Sequence, residues 1–126
     1  MTKMERAAQL RSDPNTHYNC AQAVLIPFAE ELGMSPEQAS ALTAHFGSGM
    51  RVGATCGALT GGLMALGLLG KGPDAAQAFW KDFKEQAGAT NCVDLLRLNK
   101  ERGGDKKVHC NALIYIAIGL VEKYAQ

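Results

Sequence analysis

Four residues carry most of the chemistry that can be read from this 126-residue chain: Cys20, Cys56, Cys92 and Cys110. In a reducing compartment, four thiols point to metal ligation or redox chemistry more often than to structural disulfides. No Cys-x-x-Cys pair occurs, which weighs against a zinc ribbon or a thioredoxin-type dithiol; without Cys-x-x-Cys-His there is no covalent haem attachment either. The gaps are 36, 36 and 18 residues, but apart from Asn19-Cys20 and Asn91-Cys92 the flanking residues do not match, so the spacing is not a repeat. Any pairing must be made by the fold. Four thiolates from distant helices suit an iron–sulfur cluster, and two pairs suit a cycle between dithiol and disulfide; spacing does not separate the two. Structural zinc is disfavoured, because its ligands usually come as short pairs.

Other side chains are weaker candidates. His109 adjoins Cys110 and His17 lies three residues before Cys20, within reach of a role as metal ligand or base, whereas His45 reads as a surface residue. Arg51, five residues before Cys56, is expected to be exposed rather than to balance a thiolate. Gly47-Ser48-Gly49-Met50-Arg51-Val52 imitates a dinucleotide fingerprint, but Val52 holds its third glycine position and no strand precedes it.

Helices must position these cysteines. Thr2 with Glu5, Asn19 with Gln22, and Ser35 with Gln38 have capping-box spacing, predicting helices to Ser12, from Asn19 to Leu32 with Pro27 as a kink, and from Pro36 to about Phe46. The uncharged run Val52–Gly70 predicts a central helix from about Thr55 to Leu69. Asp74 to Ala87 predicts a fifth, with Phe79, Trp80 and Phe83 inward. Asn91 with Asp94 resembles another cap, residues 100–107 read as a solvated loop, and Val108 to Tyr124 keeps helical spacing over a length that exceeds a strand. The expectation is an all-α single domain, residues 1–126, of six or seven helices around a glycine-rich one. On these boundaries Cys20, Cys56 and Cys92 stand at first helical positions and Cys110 about a turn into the last helix. Unpaired N–H groups and the helix dipole favour a thiolate at such starts.

Within the central run, Gly53, Gly57 and Gly61 recur every fourth residue. Each Gly costs a helix roughly 1 kcal/mol relative to Ala, so the stripe implies a neighbouring backbone packed closely against it. At nineteen residues the run reaches the lower limit of a membrane span. Its glycines and threonines, the lack of edge aromatics, and flanks of only Arg51 and Lys71 favour a buried helix instead, with no stable membrane insertion. Thirteen Lys and Arg against twelve Asp and Glu leave a net charge of +1 without a basic block, which gives nucleic-acid binding no support. The charged N-terminus lacks a secretory pattern, and a cytoplasmic location is expected.

One resemblance covers nearly the whole chain. Cys56-Gly57-Ala58-Leu59-Thr60-Gly61, preceded by Asn19-Cys20-Ala21-Gln22-Ala23-Val24 and followed by Asn91-Cys92 before Leu95 and by Cys110, resembles the C-GCAxxG-C-C family of small proteins labelled redox-active. Similar domains occur in split-Soret cytochromes, where the resemblance implies an iron–sulfur site; the haem-binding part is not in this chain, so cytochrome activity does not carry over. Some members accompany transporter genes.

The leading expectation is a redox protein in which Cys20, Cys56, Cys92 and Cys110 converge, either to bind an iron–sulfur cluster or to cycle between thiol and disulfide, with a redox partner that the sequence does not identify. The competing class is a non-catalytic helical dimerisation or adaptor module with packing cysteines, whose apolar last helix pairs with a partner. A homodimer suits either.

Overall fold

Capping residues set most of the element boundaries in the computed structural model, which describes residues 1–126. The Thr2 hydroxyl accepts from the Glu5 amide at 3.0 Å, and the Glu5 carboxylate accepts from the Thr2 amide at 2.8 Å, which starts α1 (Lys3–Arg11). The same reciprocal box opens α2 (Cys20–Glu31) at Asn19 and α3 (Pro36–Thr43) at Ser35, where Pro36 takes the first helical position. A π-type turn (Gly49–Gly53), α4 (Gly57–Leu68), α5 (Pro73–Ala87), α6 (Cys92–Glu101) and α7 (Lys106–Tyr124) follow. The chain is all-α, as expected. Its only β-type contact is an isolated antiparallel bridge between Thr55 and Asn91.

Several boundaries differ from the sequence reading. α3 stops at Thr43, short of Phe46. Asn91 occupies the N-cap of α6, but its side chain makes no capping bond. Asp105 does cap, accepting from the Val108 amide at 3.0 Å, so Lys106 and Lys107 belong to α7 while Lys100 and Glu101 end α6. The expected eight-residue loop shrinks to Arg102–Asp105. Trp80 is 40% exposed, with the Lys84 ammonium 5.4 Å from its ring centroid, while Phe79 and Phe83 one turn apart are buried. Pro27 lies inside α2, which continues to Glu31.

Packing centres on the pair α2 and α4. α1, α3 and α7 also lie against α2, while α5 and α7 lie against α4. Glycine is what lets the pair approach. A Cβ on Gly57 would stand 2.8 Å from the Phe46 carbonyl oxygen and 3.2 Å from the Ala21 nitrogen; on Gly61 it would stand 2.8 Å from the Ala21 carbonyl oxygen. Gly62 accommodates the Phe79 ring in the same way. Gly53 is not part of this stripe: it sits in the π-type turn at φ +75°, because α4 starts only at Gly57. The apolar length of α7 is used inside the chain, with Leu113, Ile114, Ala117, Ile118, Leu120 and Val121 all buried in the common core. No helix is long and apolar enough to cross a membrane.

Candidate redox site

Each cysteine is held by a different helix. Cys20 and Cys92 are the first residues of α2 and α6, and Cys110 lies in the second turn of α7. Cys56 is one position earlier than expected: it is the N-cap of α4, and its side chain makes no capping bond. A backbone clip aligns two of them. The Cys56 amide donates to the Thr90 carbonyl at 2.8 Å and the Cys92 amide to the Ala54 carbonyl at 2.6 Å, on either side of the Thr55–Asn91 bridge. Arg11 aligns the other two, its Nε donating to Asn111 Oδ1 at 2.7 Å and an Nη to the Tyr18 carbonyl at 2.8 Å. Asn111 follows Cys110 and Tyr18 precedes Cys20 by two residues. The Cys20 Cβ lies 3.3 Å from where a Cβ on Gly57 would be, so the α2–α4 approach brings Cys20 beside the start of α4.

The turn before α4 is strained. Ser48, Met50 and Arg51 hold φ of 51°, 58° and 66°, left-handed values that cost non-glycine residues about 1–3 kcal/mol each. Gly49 is obligatory within it, because a Cβ there would meet the Cys92 Cβ at 2.8 Å. The turn places Ser48 at the cysteines and carries Arg51 away from them, where Arg51 Nε donates to His45 Nδ1 at 2.9 Å on the exposed side.

All four cysteines line one cavity of about 60 Å³, together with Ser48, Lys106 and His109. Cys20 and Cys110 also face a second, larger cleft of about 480 Å³, lined by Arg11, His17, Lys106 and Lys107; Cys56 and Cys92 do not reach it. The site therefore has an inner pair and an outer pair. All four sulfurs are free thiols.

Electrostatics distinguish them. The Cys20 thiol is hydrogen-bonded to Cys110, which pushes Cys20 far up, with burial adding to the rise. The same bond draws Cys110 down to about 6 against the effect of its burial, helped by the positive charges of Arg11 and Lys106. Burial pushes Cys56 up to about 11, although the Ala58 and Leu59 amides at the start of α4 act the other way. Cys92 is also raised, first by burial and then by Cys110, with Lys106 opposing. The expectation that helix starts depress thiol pKa values is thus overturned for three cysteines. The Cys110 interaction at Cys20 and desolvation at Cys56 and Cys92 outweigh the helix terminus, and the one depressed thiol is the one inside a helix. His109 is lowered by burial and by Arg102, and its Nε2 is buried without a hydrogen-bond partner. His17 opens only onto the outer cleft and its continuations along the surface.

The donor set suits an iron–sulfur cluster in chemistry: four thiols around one cavity, and three helix starts to offset a cluster's negative charge. No three His, Cys, Asp or Glu side chains stand together in a group that could hold a single metal ion. Two contributors escaped the sequence reading. Lys106 was assigned to a loop and Arg11 to a helix end; the signal for Lys106 was Asp105 three residues before Val108, an N-cap that starts α7 early.

Fold and site together define a small all-helical protein with four cysteines at one centre. The chain belongs to the family described as "Putative redox-active protein (C_GCAxxG_C_C)", whose profile matches residues 18–124. That description spells its central segment Gly-Cys-Ala-x-x-Gly, whereas here cysteine comes first, Cys56-Gly57-Ala58. No curated protein and no solved structure was found to match the chain.

Proposed function

We propose that the four cysteines form one redox centre in which Cys20 and Cys110 act as a dithiol–disulfide couple. The observation that carries this reading is that Cys20 and Cys110, alone among the four, line both the inner cavity and the surface cleft, and each shifts the other's pKa. Two thiols on one cleft can join as a disulfide once their Cα atoms come within about 7 Å, and the pair gives up two electrons and two protons when it does. Cys110, partly exposed and next to Arg11 and Lys106, is the attacking sulfur; Cys20, more deeply buried, is the resolving one. His109 Nε2, buried and unpartnered on the cavity wall, is available to take a proton that Cys20 gives up. The partner is a donor or acceptor of two electrons.

The test is mass spectrometry with thiol counting across a series of glutathione poises. The wild type should lose two thiols in one transition, which Cys20→Ser and Cys110→Ser abolish and Cys56→Ser and Cys92→Ser retain. If all four thiols stay reduced under mild oxidant, the couple does not exist.

A second reading is supported by the shared cavity: Cys20, Cys56, Cys92 and Cys110 would together hold an iron–sulfur cluster, which would supply one-electron transfer. Protein purified without oxygen should then absorb in the visible and contain iron and sulfide. A colourless, iron-free product counts against it.

A further inference from the structure

The outer cleft is chemically one-sided. Arg11, Lys106 and Lys107 bring three positive charges to its wall, and Asp105, the single carboxylate there, is engaged in capping α7. The chain as a whole carries a net charge of only +1, so the cleft concentrates positive charge that the remaining surface cancels. Its volume of about 480 Å³ falls within the range of about 300–1,000 Å³ typical of small-molecule sites, and Cys20 and Cys110 are both part of its lining.

We propose that this cleft admits a small disulfide bearing carboxylates, and that Arg11, Lys106 and Lys107 hold those carboxylates while the substrate's sulfur–sulfur bond lies against Cys110. The inference rests on the dithiol reading above and adds the class of substrate. In the first step the Cys110 thiolate attacks one substrate sulfur; the bond between Cys110 and that sulfur forms, the substrate disulfide breaks, and one substrate thiolate leaves and takes up a proton. In the second, Cys20 loses its proton and attacks the Cys110 sulfur, displacing the other half of the substrate as a thiolate that is protonated in turn. The substrate disulfide gains two electrons and two protons and becomes two thiols; the Cys20–Cys110 pair is oxidised to a disulfide. The reverse sequence, run by carboxylate-bearing thiols, restores the dithiol.

Basic side chains at a cleft raise the encounter rate of an anion and lower that of a cation, by about 10- to 1,000-fold where the field is focused, and salt removes the effect. The experiment compares oxidation of the fully reduced protein by glutathione disulfide, which is anionic, and by cystamine, which is cationic, each rate divided by that disulfide's rate with a free small thiol. The wild type should prefer glutathione disulfide by about tenfold or more at low ionic strength, and the preference should shrink as salt is added. Lys106→Gln with Lys107→Gln should reduce it to about twofold with the helical circular-dichroism signal retained. Lys107→Gln alone, at an exposed position, keeps the test open if the double variant does not fold, and should give a partial loss. Equal normalised rates in the wild type, or a preference indifferent to both salt and the lysines, overturns the substrate class and leaves the redox couple standing. Failure of both disulfides to oxidise Cys20 and Cys110 overturns the couple itself, and the substrate class falls with it.

Discussion

The Cys110 thiolate depends chiefly on one neighbour, the thiol of Cys20 that donates to it. In metal-free reduced protein, iodoacetamide labelling followed by peptide mass spectrometry should find Cys110 reacting first, with its rate rising through about pH 6, and Cys56 well after it, its thiolate forming only toward about pH 11. Cys20→Ala removes the donor that favours the charged form, so the Cys110 profile should move to higher pH. Labelling of Cys110 no earlier than a free thiol would contradict this. The four cysteines stood out in the sequence as the residues able to do redox chemistry, and the fold brings all four to one cavity. Their individual character was not legible in the sequence. A helix start is a local feature that spacing reveals, whereas the burial that outweighs it at Cys56 and the hydrogen bond at Cys110 depend on residues far apart in the chain.

Among the elements, the α2–α4 contact decides the site's geometry, and its glycines make separable predictions. Gly57→Ala puts a Cβ 2.8 Å from the Phe46 carbonyl and 3.3 Å from the Cys20 Cβ, so backbone must shift. It should cost about 1–3 kcal/mol and alter the Cys110 labelling rate through displacement of Cys20. Gly67→Ala, in the same helix with nothing within 4 Å, should instead stabilise by about 0.5–1 kcal/mol and leave labelling unchanged. Urea denaturation of both variants beside the labelling assay checks the contrast; a folded Gly57→Ala with normal stability and labelling breaks the link between the stripe and the cysteines. Three capping boxes were legible because each is a signal contained within four residues. The π-type turn at Gly49–Gly53 was not, since Ser48 just before it and Met50 and Arg51 within it take left-handed backbone against local preference. Gly53 was misread for the same reason.

At the scale of the whole molecule, the outer pair joins parts of the chain that lie 90 residues apart, near the start of α2 and within α7. A disulfide there constrains the unfolded chain strongly, so the oxidised protein should be more stable than the reduced form by up to about 4 kcal/mol. Thermal melts with and without a strong reductant measure this, and a lower melting point for the oxidised form would mean that the bridge strains the fold. The helical class was legible from periodicity and length, as was the buried character of the last segment. The choice between core and partner for α7 was not, because an apolar face looks the same in either use, and the division into inner and outer cysteines required knowing which helices meet. One feature of the inner pair bears on why a thiol stands there at all. Cys56 occupies the N-cap of α4, a position where serine, asparagine or aspartate would bond an orphan amide and add about 1 kcal/mol to the helix. The Cys56 thiol makes no such bond, although the Ala58 and Leu59 amides favour its thiolate form. As far as α4 alone is concerned, serine would be the better residue; cysteine at that place instead puts a buried sulfur between the apolar core and the cavity shared with Cys20, Cys92 and Cys110.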